Sequence, residues 1–576
     1  MSTEPTYPVT RDPHPQDQPP DPRIVAIGVV AVLLVVAWAS LGKGNFAAVS
    51  DAALHWVLAN FGWLFVVAAD FFLVLCVVLA FSRFGMIRLG RDDAEPEFTN
   101  LAWIAMMFSA GMGIGLMFYG VGEPLQHYLS PPPGSGAEAR TGHAARTAME
   151  YSFFHWTLTP WAIYGVAGLA LAYAGFRKAR GNRLSSAFVP LIGERRANGR
   201  TGTAIDLLAV FATVFGTATS LGLGTLQVAE GLNLTAGTPN SRTLQLVIIV
   251  ALSAAFVGSA FSGLHRGVKW LSTLNIALAA LLMTFVFVAG PTVYVLNTIP
   301  ASLGGYLGNL LPMASQTGAF TDPGWMGRWT IFYWAWWLSW APFVGTFLAR
   351  ISHGRTIREF LVGVLLVPSG ATMIWFSVMG GSAIRQDATG RADLAKTVAK
   401  GAEASLFGLL DSLPLGTVTS WVAMVLVMTY FVTSADSASL VMGSLTSRGA
   451  LHPRTWLVVL WGVLMAAVAA VLLVAGGLTA LQAATILVAL PFVLVMLTLC
   501  WSLLAELRED PGAGSPRHAL HGLRDAVTAM VGDAVTEHRR PRHPRLQRLR
   551  RTATMRRGEA GDRGQEGQGD GDGAGR

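Results

Sequence analysis

The sequence predicts an all-α integral membrane protein with twelve transmembrane helices. Two numbers and one pattern carry that expectation. Of the 576 residues, 52% are hydrophobic and only 13% are charged, whereas soluble proteins carry charge on about a quarter of their residues. The apolar residues also fall in long runs, and about 20 in a row let a helix cross roughly 30 Å of hydrocarbon.

Residues 1–23 hold seven prolines and no apolar run, so a disordered N-terminal tail without a cleavable signal peptide is expected. Twelve spans follow, near 24–41, 61–81, 99–122, 148–175, 204–230, 243–263, 271–295, 329–349, 359–380, 416–440, 456–475 and 482–504. They divide the chain into two peripheral helices (24–98), a first block (99–295), an outer loop with an interfacial helix near 300–314 (296–328), and a second block (329–504). A basic tail with a disordered end occupies 505–576. Alternate loops hold 17 and 9 Lys and Arg, the richer set being 82–98, 176–203, 264–270, 350–358 and 445–455. By the positive-inside rule that set faces the cytoplasm, which places both termini inside a multi-pass protein of the cell (inner) membrane.

The net charge of +8 follows from these loops and the tail, so a nucleic-acid partner is rejected. Cys76 and Cys500 lie inside apolar runs, which argues against disulfide, zinc or redox cofactor chemistry. No His-Glu-x-x-His or Gly-x-Ser-x-Gly motif is present, so the sequence does not read as an enzyme.

The third span contains Ser109-Ala110-Gly111-Met112-Gly113-Ile114-Gly115. Gly111 and Gly115 fit a GxxxG packing face. Gly113 points the other way, and glycine on both faces weakens a helix by about 1 kcal/mol per residue. That favours a locally unwound segment, which at membrane depth lines a cavity and can bind an ion through its carbonyls.

The eighth span carries Trp329, Trp334, Trp336, Trp337 and Trp340, then Pro342 and Phe343. Trp329 fits an interfacial anchor, but Trp329 to Trp340 rises about 16 Å, so some indoles sit at depth. On the fourth span Trp156, Trp161 and Tyr164 cover about 140° of a helical wheel. Such rings are either ordinary core or a cage for a quaternary ammonium held by cation–π attraction. Hydroxyls cluster at Thr213 and Thr217, and around Asp436 at Thr433, Ser434, Ser437 and Ser439. Membrane Ser and Thr often bond only the carbonyl one turn back, yet hard cations also want such oxygens. Asp70 and Asp436 are ionisable groups near or within spans; Asp436 is expected in a structural or gating pair, and Asp70 has no partner to name.

Taken together, Gly111 to Glu123-Pro124, His155-Trp156 to Tyr164, Trp329 to Arg350 and Thr433 to Ser439 resemble the betaine/carnitine/choline transporter family. The sodium-coupled glycine betaine members are the nearest in pattern. The resemblance covers roughly residues 55–505. It implies a LeuT-type five-plus-five inverted repeat with two extra N-terminal helices, a homotrimer, and sodium-coupled import of glycine betaine or a related compatible solute for osmoprotection. The substrate site it implies comprises Trp156, Trp161, Tyr164 and Trp337, with Trp336 and Trp340 beside them and the Gly111, Gly113 and Gly115 backbone. One sodium site would use Ser109, Met112, Tyr430, Thr433 and Ser434, the other Thr213, Thr217 and the Phe343 ring. Position 430 is tyrosine where the family pattern has phenylalanine.

The alternative on the same fold is proton-coupled choline import or sodium-independent carnitine-type exchange. Proton-coupled choline carriers tend to have aspartate where this chain has Gly115. Nine arginines in 537–557 can bind anionic lipids, as a salt sensor or simply as a basic disordered tail.

Overall fold

The computed structural model describes residues 18–111, 113–261, 265–320 and 322–512, with the backbone alone at 108–111, 260–261 and 265–269. All of these lie in a unit spanning Met1–Leu523; a second unit, Arg524–Arg576, holds the arginine-rich tail and falls outside the described residues.

Apart from turns and loops and one antiparallel bridge between Arg88 and Thr356, the described residues are helical. Its long helices are α1 (Pro22–Leu41), α2 (Lys43–Phe81), α3 (Asn100–Gly111), α4 (Ile114–Leu129), α5 (Gly142–Trp156), α6 (Leu158–Ala172) and α7 (Arg200–Ala236). There follow α8 (Arg242–Phe261), α9 (His265–Ala289), α10 (Thr292–Ala314), α11 (Thr330–Arg350), α12 (Ile357–Ala388), α13 (Gly416–Leu445) and α14 (Thr455–Arg508). Among the described residues, nine helical stretches are long and apolar enough to cross a membrane.

Three interruptions matter more than the helices themselves. Between α3 and α4 the chain leaves helical geometry, and Gly113 is extended (φ −166°, ψ −170°), as the glycine pattern suggests. Between α5 and α6, Thr157 breaks the ladder at φ −117°, ψ −111°, and Pro160 in the next turn lacks an amide to repair it. Within α14, Gly476 and Gly477 are non-helical, Gly477 at φ +61°, a region that glycine occupies without steric cost. That kink falls between the expected spans 456–475 and 482–504.

Several boundaries differ from expectation. Residues 43–60, read as an outer loop, form the first half of α2; they hold no proline and only Gly44, so nothing in them interrupts a helix. The seventh span ends at Ala289 because Gly290 and Pro291 stop it, so 292–295 belong to α10, which overlaps the helix expected near 300–314. The wheel drawn through Trp156, Trp161 and Tyr164 does not hold, because Trp156 ends α5 while the other two sit on α6.

Burial separates a centre from a rim. The most apolar window of the α5–α6 stretch is 89% buried and that of α7 is 83%, against 22%, 17% and 22% for α1, α8 and α9. Helix α11 packs on α6 and α7 at very short range. A Cβ on Gly345 would lie 2.8 Å from Ala167 Cβ, and one on Gly216 would lie 2.8 Å from both Ser339 Cβ and Trp340 Cδ1. Small residues at such crossings let backbones approach where lipid offers no hydrophobic drive.

Candidate functional site

Beside the α3–α4 and α5–α6 breaks lies a cavity of about 240 Å³, lined by Gly113 at the first and by Trp156 and Pro160 at the second. Helix α11 presents Trp336, Trp337, Trp340, Phe343, Val344 and Phe347 to it, one face by helical periodicity. From Trp336 to Phe347 that face runs roughly 16 Å along the helix. Opposite, α13 contributes Tyr430, Thr433, Ser434 and Ser437, again one face, and α9 contributes Ser272, Asn275 and Ile276. Gly113, Ile114, Gly115 and Leu116 close one end, so the positive N-terminus of α4 abuts the cavity.

The aromatic side is a set of crossed rings. Trp337 meets Trp156 at 4.9 Å and 74°, and Tyr164 at 6.2 Å and 79°. Trp161 and Tyr164 are 5.5 Å apart at 79°. Trp336 stacks on Trp337 at 4.8 Å and 13° and meets Trp156 edge-on at 6.1 Å. Their indole N–H groups are tied down: Trp337 Nε1 donates to His155 O at 3.0 Å, Trp336 Nε1 to Gly216 O at 3.3 Å, and Trp156 Nε1 to Glu123 Oε2 at 2.6 Å. With those donors engaged, what these rings can offer a cation is the π-face, the attractive side of an aromatic quadrupole. Gly115 makes room for two of them, since a Cβ there would sit 2.8 Å from Trp156 and 3.0 Å from Trp336.

The polar side is built differently. Thr433 Oγ1 donates to Thr429 O at 2.9 Å and Tyr430 O at 3.2 Å, and accepts from Asn275 Nδ2 at 3.1 Å. Asn275 Oδ1 and Tyr430 Oη are buried without a hydrogen-bond partner. Hydroxyl and amide oxygens in this arrangement suit a hard monovalent cation.

The structure thus brings Trp156, Trp161, Tyr164, Gly113, Gly115, Trp336, Trp337, Trp340, Phe343, Tyr430, Thr433 and Ser434 to one cavity. Thr213 and Thr217 lie on α7 outside its lining; Thr213 Oγ1 donates to Ala209 O at 2.9 Å, and Thr217 Oγ1 has no partner. Met112 falls outside the described residues, and for Ser109 and Gly111 only the helical backbone is described. Asp70 and Asp436 do not line the cavity. Sequence reasoning assigned no role to Ser220, Ser272, Asn275 or Thr372, which do line it; an isolated Asn in an apolar span is the one available signal. It also quoted Glu123 and His155 without giving them a task, although both are fully buried directly behind Trp156.

A bundle of apolar helices, broken at a cavity with one aromatic and one polar wall, has the architecture of a membrane transporter for a small organic solute. Comparison with known sequences gives the family: residues 23–512 match the model for betaine/carnitine/choline family transporters, and the chain belongs to that family. It is 46% identical over 491 residues to the glycine betaine transporter OpuD of Bacillus subtilis, covering 84% of this chain and 94% of that protein. It is 43% identical over 493 residues to a glycine betaine transporter of Acinetobacter baylyi (85% and 74% covered). The ectoine/hydroxyectoine transporter of Virgibacillus pantothenticus is 42% identical over 468 residues (81% and 92%). The protein is accordingly a multi-pass membrane transporter and not an enzyme.

Proposed function

We propose that the protein imports glycine betaine, or a closely related compatible solute, by sodium symport and serves osmoprotection. The observation that carries this reading is the crossed set formed by Trp156, Trp161, Tyr164 and Trp337 around one cavity. A quaternary ammonium cannot donate a strong hydrogen bond, so ring faces are its natural partners. Its carboxylate would lie toward the N-terminus of α4, where the first amides of the helix and the freed backbone at Gly113 offer donors.

Sodium would bind at Tyr430, Thr433 and Ser434 with the Ser109 and Met112 carbonyls, and at Thr213, Thr217 and the Phe343 ring. The first set shares the cavity with the cage, which supports direct coupling between ion and solute. Counting α14 as two crossings at its glycine kink, with the broken α3–α4 and the tryptophan-rich α11 each as one, supports twelve spans. A five-plus-five inverted repeat in a homotrimer, with both termini cytoplasmic, completes the proposal. On that orientation the cavity face of α11 runs toward Arg350, at the cytoplasmic end.

The test is uptake into proteoliposomes of labelled glycine betaine, proline betaine, ectoine, choline and carnitine, with and without a sodium gradient. Betaine uptake that requires inward sodium is the expected result. Choline uptake that ignores sodium and follows a proton gradient would replace this reading with the alternative.

A further inference from the structure

Directly behind the cage, on the side away from the cavity, a single carboxylate joins three helices. Glu123 of α4 is wholly buried. Its Oε2 accepts from Trp156 Nε1 at 2.6 Å and from Tyr333 Oη at 2.5 Å. Its Oε1 lies 2.7 Å from His155 Nδ1 and 3.6 Å from His127 Nε2. His155 in turn reaches Thr330 Oγ1 through Nε2 at 3.0 Å. We propose that Glu123 is a positioning residue of the substrate site: its carboxylate fixes the Trp156 indole and the Tyr333 ring, and through them the orientation of the cage. The inference rests on the cage reading given above.

The need for such a residue comes from the backbone. Trp156 is the last residue of α5, and the chain breaks at Thr157, so helix geometry alone does not hold its side chain. An indole N–H is donor-only, and a buried one needs an acceptor. Glu123 supplies it from a different helix and thereby fixes the N–H edge of the indole, with the ring crossed against Trp337 at 74°. Tyr333, bound to the same oxygen, lies parallel to Trp337 at 6.0 Å and 8° and backs the second ring. Trp337 closes the loop by donating to His155 O. A carboxylate suits this place because its two oxygens are pure acceptors with about four lone-pair sites, and charge-assisted hydrogen bonds are shorter and stronger than neutral ones.

Glu123, His127 and His155 also place one ligand atom each within 4.8 Å of one another, a grouping that a transition metal could use. The contacts to His155, Trp156 and Tyr333 are already hydrogen bonds of 2.5–2.7 Å, so the carboxylate is engaged as an acceptor, which favours the positioning role.

The test has two readouts. The first is the indole ¹⁵N–¹H resonance of Trp156 in full-length protein in nanodiscs, assigned by its loss in Trp156→Phe. Glu123→Ala should move that resonance strongly and Glu123→Gln, which keeps one acceptor oxygen, should move it less. The second is betaine affinity. Glu123→Ala should weaken binding about tenfold and Glu123→Gln about threefold or less. In a Trp156→Phe background, where no indole N–H remains, the further loss from Glu123→Ala should fall below about threefold, as expected for two residues acting as one unit.

A resonance unmoved by both substitutions overturns the proposal, and so does an Ala penalty equally large with and without the Trp156 indole. If EDTA shifts the resonance of the parent protein, the carboxylate is a metal ligand and the proposal also falls. Should Glu123→Ala fail to fold, the Gln variant still decides the question through the resonance. Should the parent protein bind no quaternary ammonium at all, the cage reading fails separately, because the resonance readout needs no substrate.

Discussion

The two walls of the cavity are made on opposite plans. On the aromatic wall the indoles of Trp156, Trp336 and Trp337 each donate a hydrogen bond to a fixed acceptor, and their helices include the α5–α6 stretch, 89% buried across its apolar window. On the polar wall, Tyr430 Oη and Asn275 Oδ1 have no partner, and α9 belongs to the rim, 22% buried. Indoles held by fixed acceptors present one shape, although Trp340 Nε1 on the same face of α11 is buried without a partner. A wall with open acceptors beside a peripheral helix changes its energy when a cation arrives. The first suits recognition and the second suits coupling.

The sharpest way to break that division is to remove a ring. Trp337→Leu should weaken betaine binding by about 2 kcal/mol or more, roughly thirtyfold, with insertion and sodium dependence of any remaining uptake retained. Calorimetric titration of the purified variant reads it directly. Unchanged affinity in a folded variant would place the solute elsewhere.

Gly115 tests the boundary between the walls. A Cβ there would lie 2.8 Å from Trp156 and 3.0 Å from Trp336, so Gly115→Asp must displace a ring and also adds a carboxylate. Betaine uptake should fall about tenfold, while choline, a net cation, loses less because it is attracted and not repelled. Competition between the two solutes at fixed sodium measures the change in preference. An unaltered preference would mean that charge at this end of the cavity is not sensed.

How far this architecture is legible in the sequence depends on the kind of signal. The break at Gly113 is legible because glycines on opposite faces of one helix have no packing explanation. The break at Thr157 is not: no glycine marks it, and Pro160 three residues on is a common helix-start residue. The cavity face of α11 is legible because the aromatics from Trp336 to Phe347 repeat with the helix period. The part played by Asn275 and Ser272 is hidden, since a polar residue in an apolar span gains a role only once the fold sets α9 beside α13. Glu123 lies between: an ionisable residue in a span announces function, but only the fold shows which indole it holds. The tail 537–557 lies outside the described residues.

On the polar wall, Thr433→Ala combined with Ser434→Ala should raise the sodium concentration for half-maximal uptake about tenfold, equivalent to about 1.4 kcal/mol, because two hard oxygens disappear. Betaine affinity measured at saturating sodium should change little. A loss of betaine affinity that saturating sodium does not restore would make these hydroxyls part of the solute site and dissolve the division between the walls.

The smallest effect is expected at Tyr430, where the resemblance leads to an expectation of phenylalanine. The ring lines the cavity beside Thr433, is 5% exposed, and its Oη finds no hydrogen-bond partner. A buried hydroxyl without a partner costs stability, of the order of 1–3 kcal/mol for a fully desolvated group. Tyr430→Phe removes that cost and keeps the ring, so the thermal midpoint in detergent should hold or rise by a few degrees. If sodium is held at this position through backbone and ring, half-maximal sodium should stay within about twofold. A tenfold rise together with an unchanged midpoint would show instead that the Tyr430 oxygen is itself a ligand. The polar wall of this protein would then hold its ion with one more oxygen than Thr433 and Ser434 supply.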